Sequence, residues 1–179
     1  MTQQPKVSDP TAQHVTVLSV QTLERFAREV AKYPADQKQS AVMACLAIVQ
    51  EEGGFVSIDS EKAVARYLGM PPIAVSEVST FYNMYNQQPV GRFKLNVCTN
   101  LPCQLRDGQS ALEHVCRRLQ VEEGGTTADG LFTVQKSECL GACADAPVML
   151  VNDRQMVSFM TAERIDELVQ YLASQARQG

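Results

Sequence analysis

The sequence has no tryptophan, only two histidines and no block of basic residues, and its longest apolar stretch, Ala41 to Val49, falls far short of a membrane span. A helix needs about 20 apolar residues to cross a bilayer, so no direct membrane insertion is expected, and that stretch reads as part of an amphipathic helix. Sixteen Lys and Arg against twenty Asp and Glu leave a formal charge of −4. That balance lacks the basic footprint of nucleic-acid binding and the basic face of a membrane-surface helix. There is no Gly-x-Gly-x-x-Gly, and no Lys-Ser/Thr follows Gly53-Gly54 or Gly124-Gly125. A nucleotide-phosphate loop is therefore not expected, nor is an NADH site. No Ser/His/Asp arrangement can be argued, so the chain is expected to have no catalytic site of its own. Met1 to Gln13 lacks the apolar core of a secretory signal and the arginines of a transit peptide. Residues 1–17 are expected to form a disordered tail, and the expected compartment is a reducing cytosol.

What is present suits one medium or two small globular domains: 179 residues, 45% hydrophobic and 20% charged. The character of the chain changes at Gln87-Gln88-Pro89-Val90-Gly91. Before it, four helices are predicted. Leu23, Phe26, Ala27 and Val30 share a stripe behind an N-cap at Ser19, with Pro34 beyond the end. A second helix runs from about Ser40 to Glu52 and stops at Gly53-Gly54. A third lies between Ser57 or Asp59 and Gly69, and a fourth starts at Pro71-Pro72, where proline fits a first turn. After the break, Phe93 to Val97 alternates like a strand and runs straight into Cys98. A loop to Cys103, a helix from Gly108 to Leu119, a turn from Val121 to Gly130 and a strand from Leu131 to Lys136 follow. Val148 to Val151 and Met156 to Phe159 read as strands around an Asn152-Asp153 hairpin, and Thr161 caps a last helix. The expected fold class is α+β: a helical bundle over 18–88, then a thioredoxin-like α/β domain over 89–179.

Six cysteines in a reducing compartment are more readily metal ligands or buried thiols than disulfides. Four form two pairs, Cys98-x4-Cys103 and Cys139-x3-Cys143, separated by residues 104–138. Each pair follows a predicted strand. If those strands are sheet neighbours, both loops leave the same edge and bring four sulfurs to one site. Four thiolates ligate a 2Fe-2S cluster, two per iron, with Cys98 paired to Cys103 and Cys139 to Cys143. Structural zinc takes the same ligand count, though its knuckles favour Cys-x2-Cys. A thioredoxin-type dithiol needs Cys-x-x-Cys, which is absent. On spacing alone the cluster is favoured, with zinc and free thiols left open.

These pairs, the segment Glu138-Cys139-Leu140-Gly141-Ala142-Cys143 with Ala146-Pro147 after it, and Thr80-Phe81-Tyr82 before the first strand resemble the family of small 2Fe-2S subunits of bacterial respiratory complex I, the NADH:quinone oxidoreductase. The resemblance runs from about Leu18 to Ala173. It implies a helical bundle followed by a thioredoxin-like ferredoxin domain, one 2Fe-2S cluster on Cys98, Cys103, Cys139 and Cys143, and single-electron exchange with the FMN of a larger, NADH-binding flavoprotein subunit. It also implies a cytoplasmic place in the peripheral arm of an inner-membrane complex. A similar subunit serves soluble NAD-linked formate dehydrogenases and NAD-reducing hydrogenases; a zinc-stabilised interaction module is the reading from another class. Ser79 stands where the family often has Ala, and Ser76 where it often has Tyr. A cis Pro147 would suit the thioredoxin-like fold.

Physical expectations attach to the neighbours of the cysteines. An oxidised 2Fe-2S cluster on four thiolates is already net-negative, so reduction depends on burial and on N–H donors to sulfur. Gly141 lets the second loop turn with its amides inward. Glu138 should lower the potential. Cys45 and Cys116 sit among apolar residues of predicted helices and read as buried structural thiols. His14 lies in the tail, and His114, beside Glu113, reads as solvated surface or partner contact. Phe81, Tyr82, Met84 and Tyr85 form a patch that at helical spacing reads as core, with part of it available for docking.

Overall fold

The computed structural model describes residues 18–178; the expected tail over 1–17 and His14 lie outside the described residues. The chain folds as two compact units, the first ending at Pro89 and the second beginning at Val90.

The described part of the first unit is helical. Helix α1 (Val20–Val30) begins where the Ser19 hydroxyl accepts the Thr22 N–H at 3.0 Å. Helix α2 (Val42–Gly53) follows a 3-10 stretch, Ala35–Ala41, so it starts two residues later than its spacing predicts. Pro34 offers no N–H to continue a helix, and Gln37 at φ −116° breaks the regular path. Helices α3 (Ile58–Leu68) and α4 (Pro72–Phe81) complete the unit, with Ser57 capping α3 and Pro72 in the first turn of α4. Their core gathers Phe26, Leu46, Val49, Val64, Leu68 and Val75; each such side chain contributes about 1.5–3 kcal/mol by leaving water. Phe26 meets the Tyr67 ring edge-on at 5.0 Å.

One expectation is corrected in α4. Phe81, Tyr82 and Met84 are exposed, Phe81 by 79%, and only Tyr85 of that patch is buried. The helix ends at Tyr82, whose backbone is extended, so the aromatic residues never complete a helical stripe. Tyr85 turns inward and its hydroxyl donates to the Met43 carbonyl at 2.8 Å. The Ser79 hydroxyl donates to the buried carboxylate of Glu61 and so ties α4 to α3.

The second unit is a four-stranded sheet in the order β2-β1-β3-β4, made of β1 (Phe93–Cys98), β2 (Phe132–Ser137), β3 (Met149–Val151) and β4 (Gln155–Val157). Strand β1 is parallel to β2 and antiparallel to β3, and β3 and β4 form a hairpin. Asn152 and Asp153 both have positive φ at its turn, the geometry that matches strand twist. Strand β4 is set earlier than Met156 to Phe159, because Phe159 takes φ +54° and leaves the ladder. A single helical turn, α5 (Leu101–Gln104), follows β1. Helices α6 (Gly108–Leu119) and α7 (Ala162–Gln178) carry Leu112, Val115, Ile165 and Val169 into one core with Leu95, Val97, Val134 and Met149. The opposite face of β1 and β2 carries Lys94, Asn96 and Cys98 in register with Thr133, Gln135 and Ser137. All but Gln135 are buried, and the polar ones need partners. Lys94 Nζ reaches Asp153 Oδ2 at 2.5 Å and Asn96 donates to Asp153 Oδ1 at 2.7 Å.

Among the described residues no helix is long and apolar enough to cross a membrane. The Ala146–Pro147 peptide is cis.

Candidate metal centre

Both cysteine loops leave the same end of the sheet. Cys98 is the last residue of β1 and pairs in register with Ser137, the last residue of β2, two residues before Cys139. Parallel neighbours run the same way, so the chain turns out of both strands side by side. The first loop is not a plain loop as expected. It contains the turn α5, with Pro102 near its start and Cys103 inside it. Asn100 and Leu101 carbonyls accept from Gln104 and Leu105 N–H, at 2.9 and 3.0 Å. The turn brings Cys103 back beside Cys98, and both are buried in one small cluster.

Gly108, at the start of α6, is what lets that turn sit down. A Cβ there would come within 2.8 Å of the Cys103 carbonyl carbon and oxygen and 2.9 Å of the Cys98 carbonyl oxygen. No side chain fits at such distances without moving backbone.

In the second loop Gly141 turns at φ +81°, a conformation strained for other residues, and its N–H donates to Cys139 Sγ at 3.4 Å. Cys139 Sγ and Cys143 Sγ stand 3.6 Å apart. A single 3-10 turn, Cys143–Asp145, then leads to Ala146. The loops are tied across their tips: the Asn100 amide donates to the Glu138 carboxylate at 2.8 Å.

Cys98 and Cys103 are buried with Ala146 and Val148, whereas Cys139 and Cys143 are exposed. Contact with Cys139 and then desolvation hold the Cys143 thiol above its ordinary pKa, and like-charge repulsion from Cys139 and Cys98 acts in the same direction. Burial pushes up the Cys103 thiol, with Cys98 and Cys143 adding to it. The four cysteines thus form a buried pair and an exposed pair at the same end of the sheet. They nevertheless remain pairs: among the described residues, no three His, Cys, Asp or Glu side chains converge on a point that could hold one metal ion.

That arrangement can be tested against what four thiolates could hold. Two thiolates on one tetrahedral metal, with bonds of about 2.3 Å, stand about 3.8 Å apart. The 3.6 Å separation of Cys139 and Cys143 is close to this edge. A two-iron cluster takes one such pair of thiolates per metal, while a single zinc needs all four sulfurs around one centre.

The remaining thiols lie elsewhere. Cys45 is fully buried in the first unit, and burial raises its pKa to about 12. Cys116 is only half-buried on α6, less enclosed than expected. His114 is more than solvated surface: Nε2 lies 3.1 Å from Asp166 Oδ1, joining α6 to α7. Sequence reasoning missed Gly108, Asn100 and Ser137. A glycine opening a helix just after a cysteine loop is the one signal that could have marked the first.

Comparison with known proteins adds to this geometry. Residues 26–173 match the model of the thioredoxin-like 2Fe-2S ferredoxin family. The chain is 38% identical over 139 residues to NADH-quinone oxidoreductase subunit 2 of Thermus thermophilus, covering 78% of this chain and 77% of that one. It is likewise 38% identical over 144 residues to a subunit of the NADH-quinone oxidoreductase of Rickettsia typhi, covering 80% and 85%. Among solved structures, a chain of an NAD+-reducing NiFe-hydrogenase in the H2-reduced state superposes with a TM-score of 0.65 at 21% identity. That likeness is one of fold: it covers 75% of this chain and 22% of the hydrogenase chain.

Proposed function

Because the chain belongs to the thioredoxin-like 2Fe-2S ferredoxin family, we propose that Cys98, Cys103, Cys139 and Cys143 together hold one 2Fe-2S cluster and that the chain is the electron-transfer subunit of an NADH:quinone oxidoreductase. The observation that carries this reading is the pair of parallel strands whose ends present two cysteine pairs, one of them with sulfurs 3.6 Å apart. A cluster held there supplies a one-electron donor and acceptor.

The chain's own residues account for the rest. Cys98 and Cys103 come from the buried side of the site and Cys139 and Cys143 from its exposed side, so one pair is insulated and the other faces a partner. The Gly141 N–H aimed at Cys139 Sγ offsets negative charge on sulfur, which favours the reduced state. Leu101 and Leu105, on and just after α5, and Phe159, whose N–H bonds to the Asp145 carbonyl at 2.9 Å, are exposed apolar side chains around the cysteine loops. An apolar rim of this kind suits a permanent protein partner. On this reading the partner is the flavoprotein subunit that binds FMN and NADH. NADH oxidation then belongs to the complex, and the chain sits on the cytoplasmic side, in its peripheral arm.

The relatives at 38% identity, named as NADH-quinone oxidoreductase subunits, support this complex over the NAD-reducing hydrogenase, where the likeness is at the level of fold. The test is a visible and EPR spectrum of the anaerobically purified chain before and after dithionite, with iron and acid-labile sulfide assayed together. A brown protein with about two irons and a new S = 1/2 signal on reduction is expected. A colourless, EPR-silent chain carrying one zinc would overturn the reading. Pull-down from the native host separates the complexes: a quinone-reductase flavoprotein is expected, and hydrogenase or formate dehydrogenase subunits would reassign it.

A further inference from the structure

The side chain of Ser137 is buried, at 6% exposure, and its hydroxyl is the one buried side-chain oxygen or nitrogen among the described residues that has no hydrogen-bond partner. A buried hydroxyl left unpaired costs roughly 1–3 kcal/mol, so its position calls for an acceptor. Its place in the sheet says where that acceptor lies. Ser137 pairs with Cys98 across parallel β1 and β2, and residues paired in register project from the same face. Cys98 projects into the cluster of buried residues formed with Cys103, Ala146 and Val148. The hydroxyl thus shares the face and strand end of the buried cysteine pair. No acceptor of the chain itself, Cys98 Sγ included, receives it.

We propose that Ser137 is a hydrogen-bond donor to a sulfur of the 2Fe-2S cluster, and that through this bond it raises the cluster's reduction potential. The inference rests on the cluster reading given above and adds a residue that ligates nothing. The physical reason is charge. Reduction adds an electron to an already net-negative centre, and an O–H dipole aimed at sulfur stabilises the more negative state more strongly. Apolar neighbours strengthen the effect, because a hydrogen bond in a low-dielectric setting is not shared with water.

The test uses the full chain with its cluster. Wild type, S137A, S137T and S137V are assayed for iron and sulfide and then titrated electrochemically with EPR detection. S137A is expected to keep a full iron complement and to be harder to reduce, its reduction equilibrium shifted about tenfold, or 59 mV for one electron. Thr and Val have nearly the same shape, so S137T against S137V isolates the hydroxyl should S137A fail to load. S137T is expected to titrate near wild type and S137V near S137A. Resonance Raman bands of the iron–sulfur core should shift in D2O more in wild type than in S137V. Loaded variants with unchanged midpoints and the same deuterium shifts as wild type would overturn the role of Ser137 alone. A wild-type chain without iron and labile sulfide would overturn the cluster reading, and this inference with it.

Discussion

Asn100 and Glu138, 38 residues apart, join the two cysteine loops through an Asn amide N–H donated to a carboxylate oxygen at 2.8 Å. Each lies next to the chemistry, Asn100 two residues beyond Cys98 and Glu138 directly before Cys139. The bond therefore fixes how the loops approach one another. It also places a carboxylate beside the site.

That carboxylate is exposed, which sets the size of its electrostatic effect. A unit charge at 4 Å in water is worth about 1 kcal/mol, and about 1.4 kcal/mol is 59 mV for one electron. E138Q is expected to raise the midpoint by on the order of 40 mV or less, read by EPR-monitored titration; an unchanged or lower value would remove Glu138 from the account. N100A is expected to leave the midpoint within that range while hastening loss of visible absorbance in the presence of a chelator.

Ligand assignment can be checked by stoichiometry. Serine in place of Cys98, Cys103, Cys139 or Cys143 is expected to cut iron well below the roughly two per chain of a complete cluster. C45A and C116S should keep it. C45A removes a fully buried thiol and is expected to cost about 1 kcal/mol of stability, seen as a lower urea midpoint. A C45A chain without iron would refute the assignment.

Thiol reactivity in the apo chain follows burial. Only the thiolate attacks an alkylating agent, and the Cys45 thiol, pushed up to about 12 by desolvation, is essentially all protonated at pH 8. Iodoacetamide with mass mapping should modify exposed Cys139 and Cys143 first, Cys98 and Cys103 later, and Cys45 only on unfolding. Early labelling of Cys45 would contradict the packing described for the first unit.

Gly108 gives the sharpest steric prediction. A methyl group there meets backbone atoms of Cys103 at 2.8 Å, and overpacking of this kind typically costs about 1–3 kcal/mol. G108A is expected to lower the thermal midpoint and to load iron poorly, although it changes no ligand. Full loading at unchanged stability would show that α5 can shift freely.

The buried ion pair is tested by D153N. It keeps a residue tolerant of positive φ at the hairpin but removes the carboxylate that receives the Lys94 ammonium and the Asn96 amide. Breaking a buried pair costs about 3–5 kcal/mol; Asp153 is partly exposed, so roughly half of that is expected, as a lower urea midpoint with iron content retained.

Much of the fold was legible because it depends on local rules. Ser19 and Ser57 cap the helices their positions announce, and Phe93 to Val97 alternates as a strand that ends at Cys98. The α+β class followed from these elements, and the resemblance to a thioredoxin-like 2Fe-2S family rested on the cysteine pairs and the Glu138–Cys143 segment. The failures came where a distant contact decided the outcome. Phe81 has helical spacing but no partner surface beneath it, and the turn at α5 exists because Gly108 lets it rest against α6.

Sequence alone determined the chemistry available: which six thiols exist and how far apart in the chain they lie. Spacing along a chain, however, says nothing about which strand lies beside which. Only the tertiary structure decided that β1 and β2 are parallel neighbours, that both cysteine loops leave the same end of the sheet, and that the Ser137 hydroxyl is buried on the face of Cys98 without a partner. The physical reason is that register and burial arise from packing between segments far apart in sequence, which spacing along the chain does not encode.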